Sequence, residues 1–65
     1  MRILVNGVSH EVTAATLAAA VLELGFRDKA VATALNGEFV AADRRSDQAL
    51  SDGDRVEVVA PMQGG

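Results

Sequence analysis

The sequence predicts an α+β fold, a two-layer roll in which a mixed β-sheet packs on one helix. Three observations point to it. Two Asn-Gly pairs, Asn6-Gly7 and Asn36-Gly37, each lie between extended-type runs, and this dipeptide tolerates the positive φ that both central residues of a tight hairpin turn require. Between the two hairpins a single stretch switches to helical period. The last apolar run alternates like a strand but has no neighbour in sequence to pair with, so it must find a partner already formed.

The elements follow in order. Residues 2–5 form the first strand, and residues 8–12 the return strand, where Val8, His10 and Val12 alternate with Ser9 and Glu11 as in a sheet with one packed and one wet face. Thr16 can cap a helix over residues 17–24, with Leu17, Ala20, Val21 and Leu24 on its buried side. Gly25 ends it as a residue free to turn left-handed. After the polar connector Arg27-Asp28-Lys29, residues 31–35 and 38–40 form the second hairpin. Residues 43–51 read as a polar loop in which Leu50 is the single apolar anchor. Asp52-Gly53-Asp54 makes another turn, and residues 55–60 form the last strand, which Pro61 ends. Placing that strand beside the first, in parallel, puts both apolar strands at the sheet centre. Residues 1–60 are thus expected to be one domain, and residues 61–65 a flexible tail ending in Gly-Gly.

Composition narrows the function. A chain of 65 residues buries a thin core and is a poor candidate for a self-sufficient enzyme with an enclosing pocket. There is no cysteine, which excludes disulfides, thiolate metal sites and a cysteine nucleophile. Phe26 and Phe39 are the only aromatics and the net charge is -3, so neither base stacking nor phosphate tracking is expected, and nucleic acid is excluded as a partner. The apolar stretch at residues 17–22 is too short to span a membrane, and no signal peptide is expected before the first strand. The expectation is a cytoplasmic protein that does not engage membranes.

The tail Pro61-Met62-Gln63-Gly64-Gly65 follows a strand directly, and extended it reaches about 17 Å. A terminal carboxylate is a poor electrophile, but conversion to an acyl-adenylate opens its carbonyl carbon to a sulfur or nitrogen nucleophile. Two glycines without Cβ can thread a narrow channel and let a partner's backbone approach that carbonyl. An untethered end without a message is the plainer alternative.

Val5-Asn6-Gly7, residues 31–40 (Val-Ala-Thr-Ala-Leu-Asn-Gly-Glu-Phe-Val), residues 52–59 (Asp-Gly-Asp-Arg-Val-Glu-Val-Val) and the closing Gln63-Gly64-Gly65 together resemble the ThiS family, ubiquitin-like sulfur carriers of thiazole formation in thiamine biosynthesis. The resemblance covers essentially the whole chain. It implies a ubiquitin-like β-grasp roll and a carrier that is not itself an enzyme and binds no cofactor or metal. It also implies a ubiquitin-activating-enzyme-like adenylyltransferase that uses ATP and Mg²⁺ on Gly65. A sulfur donor such as a cysteine desulfurase then supplies the sulfur of a thiocarboxylate, and thiazole synthase receives it. The family docks partners on the sheet face away from the helix. By strand parity Leu4, Ala34 and Val59 lie on that face, and with Pro61, Met62, Gln63, Gly64 and Gly65 they are the expected partner-binding residues. A scatter of ordinary exposed apolar residues is the alternative reading of the same three. The segment Ala41-Ala42-Asp43-Arg44-Arg45 departs from the family, which often has an aromatic or proline there.

Two other readings remain. The small subunit of molybdopterin synthase shares the implied fold and terminus, though it is usually longer. A β-grasp interaction module without carrier chemistry is the second. Among individual residues, His10 reads as a surface strand residue, Asp52 and Asp54 as turn chemistry, Arg44-Arg45 as solvated loop charge, and Thr33 as a core-facing residue whose hydroxyl bonds locally. Lys29 is the only lysine, which disfavours a self-polymerising protein modifier.

Overall fold

The computed structural model describes residues 1–60. Strands β1 (Arg2–Val5) and β2 (Val8–Glu11) form the first hairpin, helix α1 (Leu17–Glu23) follows, β3 (Ala32–Leu35) and β4 (Glu38–Val40) form the second hairpin, and β5 (Arg55–Val59) closes the domain. The strands make one sheet in the order β2-β1-β5-β3-β4. β5 lies parallel to β1, with Val5 beside Val56, and antiparallel to β3, with Thr33 beside Val58. The expected α+β roll, with its last strand in the middle, is the observed one.

Local chemistry explains the turns and the helix. Asn6 and Asn36 both sit at φ 50° and are followed by Gly7 and Gly37 at φ 84° and 89°, the left-handed pair that a two-residue hairpin turn demands. These turns set the registers Val5 to Val8 and Leu35 to Glu38. Thr16 caps α1, its Oγ1 accepting from Ala19 N at 3.2 Å. Leu17, Ala20 and Val21 are buried as the period implies. Leu24 is the cap residue rather than a helical one, and it packs half-buried at the core's edge.

The core is the layer between α1 and the inner sheet face: Ile3 and Val5 from β1, Val56 and Val58 from β5, Val40 from β4, with Val12, Leu17, Val21 and Leu50. Each fully buried aliphatic side chain here contributes about 1.5–3 kcal/mol of transfer free energy.

Three expectations are corrected. β2 ends at Glu11, and all four of its residues are exposed, Val8 to 60%. A helix about 10 Å across covers about two strand spacings of ~4.8 Å, and the inward burial falls on Ile3, Val5, Val56, Val58 and Val40 while the inner side of edge strand β2 is left uncovered. Val12 alone enters the core, past the strand's end, where its N–H donates to Met1 O at 2.8 Å.

The second correction is that residues 43–51 are not simply a loop, since Ala42–Asp47 form a six-residue 3₁₀ helix. The third is Arg45, which is 1% exposed and not solvated. Its Nε donates to Thr33 Oγ1 at 2.8 Å and its guanidinium also donates to Val31 O. Thr33 in turn donates to Val40 O at 2.8 Å, across the hairpin. A buried arginine is tolerated because its planar fork finds fixed acceptors. Arg44, its neighbour, is exposed.

Glu23, in the last turn of α1, fastens the chain that leads into the helix. Its carboxylate accepts from Thr13 N, Thr13 Oγ1 and Ala14 N at 2.9–3.1 Å. The Thr13 N–H foremost, against a smaller opposing effect of desolvation, and then the Thr13 hydroxyl and Ala14 N–H, hold this carboxyl below its ordinary range.

Two outcomes follow. Arg45→Ala removes the buried stem and leaves the Val31 carbonyl without this donor, so urea unfolding should show a loss of about 2–3 kcal/mol, and Arg45→Lys should recover only part of it. For Glu23, the folded pKa lies below the unfolded one, so its stabilisation is present above the ordinary carboxylate range and is lost as pH falls through the folded value. The stability difference between wild type and Glu23→Gln should therefore be constant near about pH 7 and shrink on acidification below about pH 4.3.

Candidate functional site

Strand parity sorts the sheet's outer face, the one turned away from α1. Arg2, Leu4, Ser9 and Glu11 occupy it at the β1–β2 end, since Leu4 pairs with Ser9 and Arg2 with Glu11. This end is polar: Arg2 Nη2 lies 3.3 Å from Glu11 Oε1, and Arg2 Nη1 donates to Ser9 Oγ at 3.3 Å. The β3–β4 end is apolar. There the register sets Ala32 beside Val59, Ala34 beside Glu57, and Phe39 beside Ala34.

The three residues expected on this face all lie on it, but they do not form one patch. Ala34 and Val59 share a shallow concavity of about 210 Å³ with Ala32, Phe39 and Glu57. Leu4, 37% exposed, lines a separate one of about 330 Å³ together with Asn6, Gly37 and Arg55. Glu57 borders both and divides them. All three lie on the face that strand parity assigns them, and the outward positions of β5 between Leu4 and Val59 are taken by Arg55 and Glu57.

Phe39 is the residue that sequence reasoning left out. It is 73% exposed, more than Val59 at 61%, and it is the largest apolar side chain on the face. The signal was available: a two-residue Asn-Gly turn fixes Leu35 opposite Glu38 and hence Ala34 opposite Phe39 on the same side.

The root of the tail is built by β5. Val58 is buried against the helix side and Val59 faces outward beside the apolar concavity, with Ala60 the last residue described. Pro61, Met62, Gln63, Gly64 and Gly65, and with them the expected tail at residues 61–65, lie outside the described residues. His10 is exposed on β2. Asp52 and Asp54 hold their turn: Asp52 Oδ1 accepts from Arg2 N at 2.7 Å, and Asp54 Oδ2 accepts from Ser51 N at 2.8 Å. Gly53 sits between them at φ 89°. Among the described residues no helix is long and apolar enough to cross a membrane.

Comparison with known proteins agrees with this geometry. The model of the ThiS family matches residues 3–65. Over 60 residues the chain is 43% identical to the sulfur carrier protein ThiS of Thermus thermophilus, covering 92% of this chain and 94% of that protein. It is also similar to the crystal structure of a thiamine biosynthesis protein, ThiS, from Geobacter metallireducens, with a TM-score of 0.82, 29% identity and 100% of each chain covered. A solution structure of a thiamine biosynthesis protein from the same organism gives a TM-score of 0.80 at 29% identity, covering 100% of this chain and 88% of that one. The five-stranded mixed sheet on one helix is the ubiquitin-like β-grasp roll, and the chain belongs to the ThiS family, the sulfur carriers of thiamine biosynthesis.

Proposed function

We propose that the chain carries sulfur as a thiocarboxylate on Gly65. An activating adenylyltransferase uses ATP and Mg²⁺ to adenylate the carboxylate, whose oxygen attacks the α-phosphorus and displaces pyrophosphate. A sulfur nucleophile, furnished in the cell by a donor such as a cysteine desulfurase, then attacks the acyl carbon and AMP leaves. Thiazole synthase takes up the sulfur. The domain performs none of these steps itself. It supplies a recognisable body and a reactive end.

The observation that carries this reading is the family match running through residue 65, so that Gln63-Gly64-Gly65 falls inside the matched region. The three relatives named above are ThiS or thiamine biosynthesis proteins, which favours the thiamine branch over molybdopterin synthesis. The apolar concavity formed by Ala32, Ala34, Phe39 and Val59 lies where the tail departs, which suits a surface on which a partner seats the body while the tail enters its site. Leu4 belongs to the adjoining concavity and extends that contact across Glu57.

Intact-mass measurement tests the chemistry. Incubated with the activating enzyme, ATP, Mg²⁺ and sulfide, the chain should gain the mass difference of one oxygen replaced by sulfur. A chain lacking Gly65 should gain nothing while keeping its far-ultraviolet circular dichroism. An unchanged wild-type mass, with an enzyme that demonstrably modifies another carrier, contradicts the proposal.

A further inference from the structure

The two Asn-Gly turns are alike in sequence and backbone, yet their asparagine side chains do different work. At Asn36 the amide reaches the start of β5: Oδ1 accepts from Arg55 N at 2.9 Å and Nδ2 donates to Asp54 Oδ1 at 3.1 Å. At Asn6 the amide reaches its far end. Oδ1 accepts from Val58 N at 2.9 Å and Nδ2 donates to Val58 O at 3.0 Å, so one side chain satisfies both backbone groups of one residue.

That arrangement has a plain geometric reading. The parallel β1–β5 ladder runs from Leu4 N, which donates to Asp54 O, to Asn6 N, which donates to Val56 O, both at 2.9 Å. The next rung belongs to Val58. By then β1 has turned away through Asn6-Gly7, and no backbone of β1 follows β5 any further. The Asn6 carboxamide has the donor and acceptor of a peptide unit, and it takes the place of the missing strand. Val58 is the penultimate residue of β5, from which the chain continues to Gly65. Without the amide, β5 at this point would be held on its β3 side only.

We propose that Asn6 is a positioning residue for carrier chemistry: its carboxamide extends β1 past its end and holds the end of β5 in line at Val58, fixing the direction in which the chain leaves the sheet. This rests on the reading that Gly65 is the acylated end. An end delivered from a fixed root samples the geometry for adenylation more often than one delivered from a frayed strand, so the effect falls on turnover. Asn6 lines the Leu4 concavity, but the apolar concavity of Ala32, Ala34, Phe39 and Val59 is untouched, so kcat falls by a larger factor than KM rises.

The test compares Asn6→Gly with Asn36→Gly in the full chain. Glycine accepts the positive φ of either turn, so both variants keep the hairpins and lose only the amides. Amide hydrogen exchange at Val58 should quicken about tenfold in Asn6→Gly and stay near wild type in Asn36→Gly. With the activating enzyme and ATP, pyrophosphate release should show kcat lowered several-fold, by a larger factor than any rise in KM, for Asn6→Gly, and neither altered for Asn36→Gly. Asn6→Asp keeps the acceptor for Val58 N but sets a carboxylate oxygen against Val58 O, and should lower kcat at least as far as Asn6→Gly; it serves in place of Asn6→Gly if that variant fails to fold. Equal kcat for wild type and the Asn6 variants overturns the proposal alone, as does an equal fall in both glycine variants, which marks general destabilisation. A wild-type chain that the enzyme does not adenylate overturns the carrier reading and the proposal with it.

Discussion

The last strand of this domain must enter between the first and the third, and most of the structure follows from that constraint. β5 has no hairpin to place it. It is parallel to β1 and antiparallel to β3, and both pairings join residues far apart in sequence, whose loop-closure entropy must be offset by burial and hydrogen bonds. Val56 and Val58 supply the burial, meeting Ile3, Val5 and the helix. Polar groups supply the alignment: Gly53 N donates to Arg2 O at 2.7 Å, Asp52 accepts from Arg2 N, and Asn36 and Asn6 hold the two ends of the strand. The strand in the middle of the sheet is thereby also the one from which the chain continues to Gly65, the proposed site of acylation.

The other half of the molecule is organised by Arg45. A domain this small has few apolar side chains to spend on the flank of its sheet, and the second hairpin is closed there by a guanidinium instead. By reaching Thr33 Oγ1 and Val31 O it ties the 3₁₀ helix to the start of β3. Thr33, turned inward among aliphatic residues, is satisfied on both sides by Arg45 and Val40 O. A short polar relay thus stands where a larger protein would place another aliphatic layer.

Much of this was legible in the chain itself, for identifiable reasons. Asn-Gly chemistry sets both hairpin registers, and period and capping mark α1 from Thr16 to Gly25. Strand parity correctly assigned Leu4, Ala34 and Val59 to the outer face. What was not legible depends on neighbours distant in sequence. Nothing in Asp43-Arg44-Arg45-Ser46 distinguishes the buried arginine from the exposed one, because the acceptors that bury Arg45 come from β3. The exposure of β2 follows from where the helix lies, not from its own alternation. Asn6 and Asn36 look identical until β5 is placed between them. The division of the outer face by Glu57 likewise appears only once Leu4 and Val59 are set on their strands.

The chain is a sulfur carrier of thiamine biosynthesis, and the proposed thiocarboxylate on Gly65 would deliver its sulfur to the thiazole. Complementation tests that most directly. The chain, expressed with its own activating enzyme and thiazole synthase, should restore growth without thiazole to a strain lacking its carrier, and should leave a mutant lacking the small subunit of molybdopterin synthase unrescued. Rescue of the molybdopterin mutant in place of the thiazole auxotroph, or thiazole-independent growth supported equally by a chain without Gly64 and Gly65, would contradict it.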